Sequence, residues 1–173
     1  MSKKIVVRAL LAGGLAIGIG GAVAQAKKGA NEPPSEAAVA FAKRTSDLMT
    51  NTVVAALTQE INETTPQNVA EGNLSIGLIF NDQNRDLRLV GTRAPLSESD
   101  RPADDFEKKA LELALKGKDL AETERVQGQW YYRRSVPLSN FKPQCAMCHA
   151  NFAGVPATEF VGALMLRVPV KAE

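Results

Sequence analysis

Both cysteines and the only histidine of this 173-residue chain fall within five consecutive positions, Cys145-Ala146-Met147-Cys148-His149. CxxCH is the attachment spacing of a c-type haem. Two thiols three residues apart lie on one side of a helical turn, where each can add to one porphyrin vinyl group. The adjacent imidazole then serves as proximal iron ligand. Chance gives on the order of 10⁻⁴ such matches in a chain of this composition. On this reading the chain folds around one bulky apolar group held at a single turn. Two other readings of the cysteines stay open at this point. One is a structural or redox-active disulfide across CxxC; the other is a zinc site, which needs a fourth ligand that the sequence does not indicate.

One motif implies one covalent haem c, with Cys145 and Cys148 as attachment points and His149 as axial ligand. With no second histidine, methionine is the first alternative for the sixth iron position. Met147 sits inside the attachment turn and cannot reach the opposite haem face. Met49, on a helical apolar stripe, and Met165, on the last strand, are the candidates, each weighed against simple core packing. Lysine, water and an empty site remain open. Arg133 and Arg134 follow Trp130-Tyr131-Tyr132, and strand alternation places Trp130, Tyr132 and Arg134 on one face. Arg133, Arg134 and Arg93 are the candidate propionate contacts, with Arg167 as a further one; each is weighed against a solvated surface role.

The chain carries 21 Lys+Arg against 19 Asp+Glu, a net charge of +2. Much of that excess sits at the start. Lys3, Lys4 and Arg8 precede an uncharged apolar run from Ala9 to Ala24 that closes on Ala24-Gln25-Ala26, the pattern of a signal peptide cleaved after Ala26. The run is about 15 residues, short of the ~20 needed to span a bilayer, and its five glycines weaken it as a helix. Cleavage is therefore expected over a retained anchor, with no stable membrane span afterwards. Removing three cations leaves 18 Lys+Arg against 19 Asp+Glu, or −1. No basic patch, P-loop or GxGxxG points to nucleic acid or nucleotide. The expected location is periplasmic or otherwise exported, where covalent haem attachment takes place.

Residues 27–34 read as a disordered polar leader. Ser35 is an N-cap for a long helix from Glu36 to about Asn62, with an apolar stripe at Ala38, Phe41, Leu48, Met49, Val53, Ala56, Leu57 and Ile61. A second helix is expected from Thr65-Pro66 toward Phe80. Asn81 to Asn84 reads as a turn, Asp86 to Gly91 as a strand, and Thr92 to Pro102 as a loop. A helix from Ala103 to Lys116, terminated by Gly117, should bury Phe106, Ala110, Leu111, Ala114 and Leu115. Glu122 to Val136 reads as a hairpin broken at Gly128, and Thr158 to Val170 as a strand whose pairing Pro169 limits. Helices followed by a small antiparallel sheet make an α+β domain over residues 35–170.

Four stretches, taken together, resemble an exported family of c-type haem-binding proteins with a PAS-like fold, described as a domain of unknown function. They are Arg88-Leu89-Val90-Gly91-Thr92-Arg93-Ala94-Pro95, Asp105-Phe106-Glu107, Tyr132-Arg133-Arg134-Ser135-Val136-Pro137-Leu138, and CAMCH with Val161-Gly162-Ala163-Leu164 through Pro169. The similarity runs from about Ser35 to Val170. It implies a small antiparallel sheet with a long N-terminal helix and flanking helices, haem on Cys145 and Cys148, and His149 as axial ligand. Members of the family occur both free-standing and as sensory parts of membrane receptors.

The function expected from these readings is a periplasmic monohaem c-type cytochrome carrying one electron to or from a redox partner protein. The alternative is a haem-based redox or gas sensor reporting through a separate signalling protein, since no kinase follows the domain in this sequence. A haem enzyme would lack a distal histidine, so the chain is not expected to be an enzyme. Distal-pocket chemistry decides between transfer and ligand binding.

Overall fold

A computed structural model describes residues 32–72, 80, 85–91 and 98–171. The expected signal peptide, most of the leader, the Asn81–Asn84 turn and Arg93 lie outside the described residues.

Helix α1 spans Glu36–Glu63, opened by the Ser35 hydroxyl accepting from the Ala38 N–H. Its buried positions are Ala38, Ala42, Ser46, Thr50 and Leu57, so the expected stripe is corrected in kind. Small side chains at steps of four, rather than the large apolar ones, form most of the inner edge, letting the helix axis approach the sheet. Phe41 and Leu48 instead face outward, 66% and 68% exposed. Helix α2 spans Pro66–Glu71, with Thr65 as N-cap. It does not run to Phe80, because Gly72 adopts a left-handed conformation (φ 69°) and ends it.

Strand β1 (Leu87–Gly91) precedes a 3-10 turn, Glu98–Asp100, and helix α3 (Asp105–Ala114). Strands β2 (Leu120–Val126) and β3 (Gln129–Ser139) form a hairpin. Its two-residue turn, Gln127-Gly128, holds both residues at positive φ, the conformation that matches strand twist. A one-turn helix, α4 (Cys145–Cys148), leads through the 3-10 turn Ala150–Phe152 to β4 (Phe160–Pro169). The four strands make one antiparallel sheet in the order β1-β4-β3-β2, which establishes the α+β class. Pairing outlasts Pro169 by one bond, Val170 N–H to the Trp130 carbonyl at 2.8 Å.

Alternation along the strands sorts the side chains to two faces. Val90, Ala163 and Met165 pack against Phe106, Ala110, Leu111 and Ala114 of α3. Leu164, Leu166, Val168 and Tyr132 turn the other way, under α1. Leu115, expected inside, is 39% exposed; the buried place on α3 is taken by Glu107. That carboxylate is held by Arg88 Nη1 at 2.8 and 3.0 Å and by the Ala103 N–H at 2.7 Å. At Gly162 the backbones of β4 and β1 come so close that a Cβ would lie 2.6 Å from the Val90 carbonyl oxygen. Among the described residues, no helix is long and apolar enough to cross a membrane.

Candidate functional site

The attachment motif folds as predicted by its spacing. Helical hydrogen bonds begin before it, with the Cys145 N–H donating to Lys142 O at 3.1 Å and Ala146 N–H to Pro143 O at 3.2 Å. They end with His149 N–H donating to Cys145 O at 2.9 Å. Both cysteines are free thiols and half-buried, and they share with His149 the wall of a cavity of about 360 Å³. Small-molecule and cofactor sites run from about 300 to 1,000 Å³.

The cavity lies where α1 overhangs the end of the sheet. Val54, Leu57 and Ile61 of α1 form one side; Leu89, Leu138 and Val161 come from the sheet, and Phe80, Phe141 and Phe152 from the connections. Gly91 and Gly162, register partners across β1 and β4, also line it. A Cβ on Gly91 would meet only the Val161 carbonyl oxygen, at 3.9 Å, so the cavity reaches down to bare sheet backbone. Mostly apolar and edged by two thiols and an imidazole, this cavity has the donor set that a covalently held haem would require.

His149 is positioned by residues that motif reading did not single out. Its ring stacks on Phe152 at 4.8 Å between centroids and 17° between planes. The Asn140 side chain fixes the following segment, donating from Nδ2 to the carbonyls of Val155 (2.8 Å) and Phe152 (3.4 Å). Sequence offered only one faint signal of this, an aromatic one helical turn after the histidine. Burial pushes the His149 imidazole below its usual range, partly opposed by the negative charge of Asp100 on the cavity wall. A neutral imidazole is the form that binds a metal. Burial likewise pushes the Cys145 thiol up, against backbone hydrogen bonds that favour the thiolate.

The remaining candidates among the described residues, Met49, Met165, Arg133, Arg134 and Arg167, do not line this cavity. Met165 is buried under α3 and Met49 packs between α1 and the sheet; neither lines the cavity. Core packing accounts for both sulfurs. Arg133 points to the α3 face, where Asp104 (2.8 and 3.1 Å) and Glu124 (2.5 Å) take its guanidinium and the Phe106 ring lies 4.2 Å beneath it. Arg134 does share a face with Tyr132, as alternation requires, but it is bound to Asp47 of α1 (2.5 Å) and to Asp119 (3.2 Å). Arg167 pairs with Asp86 at 2.9 Å. Each of these three arginines is paired with carboxylates. Among the described residues, no group of three or more His, Cys, Asp and Glu side chains gathers as a metal cluster.

Comparison with known proteins adds a family. Residues 30–166 match the family model described as Tll0287-like. No curated protein matches the chain.

Proposed function

The chain belongs to the Tll0287-like family, and on that premise, together with the geometry of the attachment turn, we propose that it is an exported monohaem c-type cytochrome carrying one electron between partners. The observation that carries the reading is the meeting of both thiols and the sole imidazole at one apolar cavity. In this reading residues 1–26 are the export signal, 27–34 a leader, and 35–170 the PAS-like haem domain, delivered to the periplasm. Haem supplies a one-electron iron couple when bound. The chain does the rest. Cys145 and Cys148 would hold the group through two thioethers, each S–H adding across a vinyl C=C with no leaving group. His149, its ring stacked on Phe152, would offer a neutral nitrogen to the iron. The α1 side chains Val54, Leu57 and Ile61 would give the bound group an apolar, water-poor wall.

The test is an absorption spectrum of the purified protein, oxidised and reduced, with and without carbon monoxide. Haem retained after denaturation, and lost from the Cys145→Ser/Cys148→Ser double variant, is expected; extractable or absent haem refutes the reading. Six-coordinate iron in both states without carbon monoxide binding supports electron transfer.

A second reading, a haem-based redox or gas sensor acting through a separate partner, is favoured by one observation. Among the described residues that line the cavity, His149 is the only histidine, and there is no methionine or lysine. Carbon monoxide binding to the reduced protein at micromolar concentration would select this reading.

A further inference from the structure

Two described segments at the attachment turn carry no charged side chain, the acidic groups nearest His149, Glu60 and Asp100, lying on the cavity wall instead. Residues 143–158 include no Asp, Glu, Lys or Arg, in a chain where 23% of residues are charged. Residues 64–70 include none either, and the helix they form, α2, lies against the attachment turn α4. The two segments therefore make one uncharged face. Glu63, Glu71, Lys142 and Glu159 bound them in sequence. Successive turn bonds, Phe152 N–H to His149 O (2.8 Å) and Val155 N–H to Phe152 O (3.0 Å), keep the second segment compact. Its outer side chains are small or apolar: Met147, 38% exposed, with Ala150, Ala153 and Pro156 also exposed. An uncharged centre with methionine, and charges only at its margin, is the anatomy of a protein-docking patch.

We infer that this face docks a redox protein whose own contact surface is uncharged, and that electrons cross at the attachment turn. The inference rests on the haem reading above. Charge complementarity selects the partner: an acidic or basic contact surface would lose its hydration here and find no counter-charge. Association on such a face is not electrostatically steered, so its rate is nearly independent of salt.

The experiment is stopped-flow electron transfer from the reduced, haem-loaded protein to a blue copper protein with an uncharged docking face, across about 10 mM to 0.5 M salt. The expected rate changes less than about twofold over that range. Met147→Lys and Ala153→Lys each lower it about tenfold, the cost of burying an unpaired charge; Leu48→Lys, which adds the same charge on the outer face of α1, leaves it unchanged. Steep salt dependence, or equal rates in all three variants, overturns the inference. So does binding of the patch to phosphatidylcholine vesicles, or self-association that Met147→Lys abolishes; these would assign the face to lipid or to a second copy. Absence of covalent haem from the purified protein overturns the functional reading, and this inference with it, before any rate is measured.

Discussion

Replacing Arg133 with methionine separates a structural role from a haem-binding one. The arginine side chain is 6% exposed and sits among three carboxylates: Asp104, Glu124 and, at 3.7 Å, Glu107. Methionine keeps much of the apolar stem over Phe106, so the loss reports the charge rather than the packing. Removing one member of a buried ion network costs about 3–5 kcal/mol because the partners are left uncompensated. Here two partners are partly solvated, Asp104 at 46% and Glu124 at 33% exposure, while buried Glu107 keeps Arg88. That places the expected loss near the lower bound, about 3 kcal/mol. With a urea m-value of about 2 kcal/mol/M, the unfolding midpoint by circular dichroism should fall by about 1.5 M with m unchanged. Burial alone would push Asp104 up, but hydrogen bonds from Arg133 and the Glu107 N–H, with the charges of Arg133 and Arg88, hold it below its ordinary value of 3.8. A lowered folded value means stability that is present above 3.8 and is lost as pH falls through the folded value. The variant should show less of that acid-dependent loss. A stability change under about 1 kcal/mol, or an altered haem spectrum with stability intact, would refute the placement of Arg133 in the α3 network.

Four further outcomes follow from the geometry. Gly162→Ala puts a Cβ at 2.6 Å from the Val90 carbonyl and should cost about 1–3 kcal/mol; an unchanged melting temperature would contradict the close approach of β1 and β4. Gly91→Val, whose Cβ on the cavity wall would make only an ordinary contact, 3.9 Å from the Val161 carbonyl oxygen, should leave the melting temperature of the haem-free protein within a few degrees while lowering haem content, measured as the haem-to-protein absorbance ratio; full loading would argue that the cavity is not the haem site. Phe152→Leu keeps an apolar side chain and loses the ring stack with His149, about 1 kcal/mol; the His149 ring protons of the haem-free protein should lose their ring-current shift, and an unchanged NMR spectrum would deny the stack. In the haem-free protein His149 titrates below its usual 6.5 because it is buried. The unfolded chain then binds more protons between the folded and unfolded values, so stability holds above about 6.5 and drops as pH falls below it. A midpoint above 6.5 for the His149 ring protons would reverse that sign.

The parts of the fold legible in sequence are those set by local rules. Ser35, Thr65 and the Gln127-Gly128 turn each act through neighbours a few residues away, and the starts of α1 and α2 and the hairpin turn lie where the pattern puts them. Gly117, at φ 70°, terminates α3 as expected. What period alone misplaced were Phe41, Leu48 and Leu115, because helical spacing does not say how near the neighbouring layer stands. A sheet approached through Ala38, Ala42, Ser46 and Thr50 leaves the bulky residues outside. At the site, the CxxCH turn is local chemistry and was readable. The arginines were not, since their carboxylate partners Asp47, Asp104 and Asp119 are distant in sequence or on another element. Asn140 and Phe152 join the site only when the end of β3 meets the turn after His149.

The strand order has a consequence for assembly. β4, last along the chain, sits inside the sheet between β1 and β3, so β1 stays without a sheet partner until the final strand is available. The attachment turn precedes β4 by about a dozen residues. In a chain emerging N-terminus first, Cys145 and Cys148 become accessible before the sheet can close and the cavity acquires its walls. In any state where β4 is undocked, the cavity lacks the wall that Val161, Gly162 and Ala163 supply, and Cys145 and Cys148 lie open to a reaction partner.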